Sequence, residues 1–411
     1  MSKRSCYVKS FDSILFLGAF IGVSQFSLAN SKCLSRFSSI LFIPFLASFI
    51  YLSLASYHFN TSEMLQEEVV ILSYGIWTVF CVNLLATLSR FPYYFAVRCL
   101  FKRVILDVNE INKRLRMQPK YTKNTLKMWM VFFVFTSANA MVRWCADMHW
   151  SIKLAIFAGN LMYYCENMFA YKILNEMALQ CERIHALMFE GLQFVQDEHN
   201  RQLKVQAQHA QQKVHRVAYL EKFQDLTQIH LEICQCAKKA NNLFGAPIMS
   251  LFILDFAVVT LTLYDVCNGI VDLDLTTYDQ LQLLMILGNC LQIVIIFARI
   301  IISIYSWTHL DKKLKETVLN VHKLWNILSI NNQIGKWAGC IQLTTIQLSN
   351  AIPQFSASGI VDIDWPAIIS IISAASTYVV ILIQFGSIKR HIVSGEAGGG
   401  APPSQTILFP A

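Results

Sequence analysis

Near the carboxyl end of the chain, Ser370, Ser373, Thr377, Ile381 and Gln384 follow one another at spacings of three and four residues. That spacing sets them on one face of a helix. No charged residue lies between Pro366 and Gly386, and the intervening positions are mostly isoleucine, valine and alanine. Hydroxyls and an amide in such a setting can do two kinds of work. They can hydrogen-bond across a helix contact inside lipid, or their oxygens can replace part of a cation's hydration shell. Small serines suit a close helix contact. A long amide such as Gln384 needs a polar partner or water at that depth.

Two further stripes share this mixture. Gln282, Met285, Asn289, Gln292, Ile296 and Arg299 fall on one helical face, and Phe157, Asn160, Tyr164, Asn167 and Tyr171 on another. Interhelical bonding explains any one of these residues taken alone. As a set, with Trp77, Trp144 and Trp150 in neighbouring segments, they offer an apolar wall with sparse polar groups. That combination suits a small amphipathic ligand, so Trp77, Asn160, Tyr164 and Asn289 are the candidate ligand-facing residues. Arg143, Glu166, Asp255 and Arg299 are ionisable groups within or beside apolar runs, which makes them functional candidates. Arg143 and Asp255 fall at similar depth and can form a structural ion pair.

The elements that position these residues are membrane spans. Of the 411 residues 55% are hydrophobic and only 15% charged, well below the charge of an ordinary soluble protein. Apolar runs long enough to cross a bilayer occupy 37–57, 69–89, 128–146, 154–176, 244–264, 281–305 and 366–387. The fold class predicted is an all-α membrane protein with seven transmembrane helices. Segment 11–29 is shorter and interrupted by Asp12 and Gln25. It reads as an interfacial helix, with a signal peptide as the alternative.

Loop charge sets the orientation. Arg90, Arg98, Lys102, Arg103, Lys113, Arg114, Arg116, Lys120 and Lys123 crowd the loop after the second span, whereas the loops after the first and fifth spans are acidic. Basic loops stay inside. The amino terminus is therefore predicted to be cytosolic and, with seven spans, the carboxyl terminus extracellular, in a multi-pass plasma-membrane protein. Asn60-Thr61-Ser62 is a glycosylation sequon in the first outer loop, consistent with this orientation.

Two polar stretches, 177–240 and 306–350, still read as helices. Leu310, Leu314, Val318, Val321, Leu324 and Leu328 form one apolar stripe, and Val214, Val217, Leu220, Phe223 and Leu226 a second. Their apolar faces need partners, which is solved most simply if the membrane helices continue into the cytosol and pack there. The organisation is then a cytosolic segment over 1–36, the seven-helix unit over 37–394, and a Gly- and Pro-rich tail over 395–411 with the composition of disorder.

Other classes find little support. The net charge of +8 resides in loops, with no basic tract on an aromatic platform, so no nucleic-acid partner is expected. Cys234 and Cys236 have no second pair at zinc spacing. No zinc-protease, nucleophile-elbow or phosphate-loop motif occurs. Neither enzyme activity, metal nor cofactor is expected.

At Thr377-Tyr378 followed by five apolar residues and Gln384-Phe385, the chain resembles the insect gustatory receptor family, which is related to insect odorant receptors. The lead-in Ser356–Ser376, with Gly359, looks like that family's approach to its last helix. The resemblance implies a tetrameric ligand-gated cation channel, homomeric or heteromeric with related receptors, in a sensory neuron. It implies a central pore lined by the last helix, an anchor domain built from the cytosolic extensions, and a tastant pocket in the outer half. Carried onto this sequence, Gln384 and Thr377 line the pore, Ile381 and Phe385 form an apolar gate, and Tyr378 belongs to the structural motif. Val379 stands where sugar-sensing members commonly carry an acid, which tilts the expected tastant towards a bitter or plant compound, with a sugar the alternative. A G-protein-coupled receptor would put the amino terminus outside. A secondary transporter would show internal repeats, and none is visible.

Overall fold

The computed structural model describes residues 93, 97, 99–117, 166–190, 193, 209–271, 280–330 and 337–397. These form helices α1 (99–114) and α2 (166–190), then α3 (His209–Val271), α4 (Gln280–Ile330) and α5 (Trp337–Ala351). A hairpin of strands β1 (Ser356–Ala357) and β2 (Val361–Asp362) leads into α6 (Trp365–Ala397).

Three of these helices contain stretches long and apolar enough to cross a membrane, within Glu221–Val271, Leu283–Lys323 and Trp365–Gln384. They carry the predicted fifth, sixth and seventh spans. The first three predicted spans lie outside the described residues, as does the fourth up to residue 165. In both α3 and α4 the apolar span and the adjoining polar stretch form one uninterrupted helix. The stretch predicted over 306–350 is divided between α4 and α5. At the other end α6 continues beyond 387 and through Ala397.

Outside the apolar spans, the stripes find their partners within the chain. Leu310, Leu314 and Val321 of α4 are fully buried, and Phe223 and Leu226 of α3 are nearly so. They share one core with Val104 and Val108 of α1 and with Ile173, Leu174, Met177 and Ile184 of α2. Some polar groups at this level are paired across helices, although Gln180 Oε1 and Asn112 Nδ2 are buried without a hydrogen-bond partner among the described residues. Gln180 donates from Nε2 to the Val108 carbonyl and to Asn112 Oδ1, each at 2.9 Å. Arg114 bridges Glu232 at 2.7 Å and Asp225 at 2.6 Å, tying α1 to α3. Lys313 of α4 reaches Glu182 of α2 at 3.0 Å.

The hairpin turns at Ser358 and Gly359, with φ of 56° and 73°. Both lie in the left-handed region, the pattern of a type I′ turn, and Ile360 N donates to the Ala357 carbonyl at 3.1 Å. Two residues after β2, Asp364 caps α6 by accepting the Ala367 amide on Oδ1 at 3.2 Å. Pro366 falls in the first helical turn, where its missing N–H leaves no bond unmade.

Candidate functional site

α6 has two unlike faces. Ala367, Ile368, Ala375 and Val379 are buried, on the side where α6 packs against α3. Ser370, Ser373, Thr377, Ile381 and Gln384 are all exposed on the single chain, as are the apolar Ile369, Ile372, Val380 and Ile383. The alanines, and not the serines, supply the close approach between helices within the subunit. Ser370 and Thr377 turn their hydroxyls back to the carbonyls of Pro366 and Ser373, at 3.1 and 3.0 Å. Each hydroxyl hydrogen is thereby used inside the helix, which leaves oxygen lone pairs on the outer face. Phe385 is helical and follows Gln384 directly, but its side chain is outside the described residues.

Tyr378 stands on a different side of α6. Its ring meets Phe256 of α3 edge-on, with centroids 5.7 Å apart and planes at 78°. The preceding residue on α3, Asp255, forms a buried ion pair with Arg299 of α4. Arg143, the partner expected from the sequence, is outside the described residues. Arg299 extends from the neighbouring helix at matching depth, so Asp255 is neutralised by the span packed beside it. Adjacent positions on α3 thus contact the last helix on one side and α4 on the other.

Asn289 lies on α4 and is half-buried. Along its stripe burial deepens, from exposed Met285 through Asn289 and Gln292 to buried Ile296 and Arg299. Asn167 of the companion stripe is buried on α2. Trp77, Asn160 and Tyr164, and the sequon Asn60, are outside the described residues.

Two cavities adjoin the hairpin. One, of about 730 Å³, is a groove between α3 and the first half of α6, walled by Phe252, Phe256, Ile360, Ser370 and Tyr378. The other, also about 730 Å³, sits among α4, α5 and the hairpin and includes Trp307, Asp311, His322 and Phe355. Asn289 lines neither. Among the described residues no cluster of three or more His, Cys, Asp or Glu side chains is arranged to hold a metal ion.

Long helices that pass unbroken from apolar to polar sequence, with a polar stripe on the outside of the last one, define a helical membrane protein. Comparison with known proteins narrows the class. Residues 11–389 match the family model described as 7tm chemosensory receptor, and the chain belongs to that family, as the motif in the last helix implies. It is a family of receptors and not of enzymes. Over 170 residues the chain is 26% identical to the Drosophila melanogaster gustatory receptor for bitter taste 66a. The match covers 40% of this chain and 30% of that receptor. The fold is that of the insect olfactory receptor OR5 from Machilis hrabei. The TM-score is 0.60 at 10% identity, over 92% of this chain and 98% of that one. Against OR5 in complex with eugenol it is 0.53 at 11% identity, over 93% and 100%.

Proposed function

We propose that this chain is a subunit of a ligand-gated, non-selective cation channel that opens on binding a small-molecule tastant, a bitter or plant compound. The observation that carries the reading is the exposed polar stripe of α6. A helix with an uncharged polar face outward either meets lipid at some cost or meets its own copies around water. In a tetramer, four such faces surround an axial path. Thr377 and Gln384 then line it, and Ile381 with Phe385 closes it. The cytosolic ends of α3 and α4, with α1, α2 and α5, make the anchor domain. The amino terminus faces the cytosol and the carboxyl terminus the outside, in the plasma membrane of a sensory neuron.

A small-molecule ligand is supported by the eugenol complex of the structural neighbour, and a bitter compound by the related bitter-taste receptor. The ligand site is placed at Asn289, with Trp77, Asn160 and Tyr164 as its other members. Outside-out patches exposed to a panel of plant metabolites and sugars, without added nucleotide, test the whole reading. A current carried by both sodium and potassium is expected. Responses that require a G protein would overturn it.

A further inference from the structure

Pro247 lies inside α3. Proline has no N–H, so the carbonyl four residues earlier, that of Leu243, loses its helical donor. Leu243 is fully buried, where an unmatched carbonyl is costly. The hydroxyl of Tyr93 fills the gap. It lies 2.9 Å from the Leu243 carbonyl oxygen and 2.9 Å from that of Asn242, and donates to this pair.

The same turn of α3 seats the hairpin. Asn241 Oδ1 accepts the Ser356 amide at 3.1 Å. A Cβ placed on Gly245 would come within 3.1 Å of Ser358 N and 3.2 Å of the Ser356 carbonyl oxygen, so the hairpin backbone rests directly on that glycine. Residues 241 and 245 therefore bracket the carbonyls that Tyr93 holds. From the hairpin the chain needs only Ile363 to reach Asp364, the cap of α6.

We propose that Tyr93 is a positioning residue, a clasp on the proline-containing turn of α3 that sets where the last helix begins. By satisfying the carbonyl that Pro247 leaves open, it holds 241–245 in the shape the hairpin requires. Releasing the clasp shifts the hairpin and, with it, the root of α6. Its bearing on gating rests on the channel reading; its bearing on the hairpin does not.

The test is a cycle of two substitutions, read by hydrogen exchange on the purified full chain. Tyr93→Phe keeps the ring and removes one hydroxyl. Amides in 242–251 and 355–363 should exchange faster, on the order of tenfold, with little change in α2. Pro247→Ala restores an N–H for the Leu243 carbonyl, so Tyr93→Phe should have almost no further effect on that background. Gly245→Ala should speed exchange in 355–363 whether or not the hydroxyl is present. The proposal is overturned if Tyr93→Phe leaves both segments unchanged, or acts equally with Pro247 and with alanine there. In patches, Tyr93→Phe should alter the resting current and Pro247→Ala should abolish that difference. Faster exchange in a chain that passes no current upholds the clasp and sinks the channel reading.

Discussion

Asp255 of α3 and Arg299 of α4 meet in an ion pair whose side chains are 0% and 5% exposed. Both charges sit within stretches apolar enough to span a membrane. Removing one partner there strands the other without water, a loss of about 3–5 kcal/mol in buried pairs. Asp255→Asn or Arg299→Gln alone should cut the folded, surface-expressed fraction sharply. The exchange Asp255→Arg with Arg299→Asp should recover part of it. Size-exclusion profiles of fluorescently tagged protein read this directly, and an exchange no better than the single variants would argue against the pairing.

Asn289 tests the ligand site without touching the ion pair. If its amide contacts ligand, Asn289→Ala should raise the half-activating concentration about 5- to 150-fold, the equivalent of 1–3 kcal/mol for a lost buried hydrogen bond. Tyr164→Ala should do the same. Maximal current and surface expression should stay near normal in both. Unchanged dose–response curves in the pair would move the site elsewhere.

The polar end of the bundle should weaken in acid. His185 Nε2 lies 2.6 Å from Thr317 Oγ1, whose own hydrogen goes to the Lys313 carbonyl at 3.1 Å. The neutral ring therefore donates, and no charge is needed. Burial pushes the His185 pKa down and Lys313 adds to this, while Glu316 and Glu182 oppose it. The unfolded chain then binds the proton more readily than the folded one. His185 contributes its full stability above its ordinary pKa near 6.5, and that contribution is lost as pH falls through the lowered folded value. Melting temperature measured between pH 7 and 5 should fall, and His185→Gln should flatten that slope. An identical slope in the variant would remove His185 from the account.

What the chain's order discloses is periodic. Leu310, Leu314 and Val321 could be placed on a buried face because a helix repeats every 3.6 residues, whatever it packs against. The stripe on α6 was legible for the same reason, and so was the family, from a short motif at a fixed place. Partner choice was not legible. Depth along the predicted spans suggested Arg143 for Asp255, whereas the ion pair to Arg299 depends on how α4 packs beside α3, which no local pattern shows. Pro247 announces an orphan carbonyl at Leu243, but nothing local shows that its donor lies 150 residues earlier, at Tyr93.

The exposed stripe of α6 makes the most demanding prediction. One Gln384 per subunit in a fourfold assembly would set four neutral amides around the axis. Their oxygens can replace part of a cation's water without the deep well of a carboxylate ring, so sodium and potassium should pass with little discrimination. Gln384→Glu turns the ring into four carboxylates, which hold calcium far better than amides do. Divalent permeability relative to sodium should therefore rise severalfold. Thinning the apolar plug by Phe385→Ala should leave current in the absence of ligand, since a shorter dry constriction admits water more readily. Both variants must be compared at matched surface expression. If permeability ratios do not move in Gln384→Glu and Phe385→Ala stays silent at rest, the stripe faces lipid or a neighbouring helix and the pore lies elsewhere.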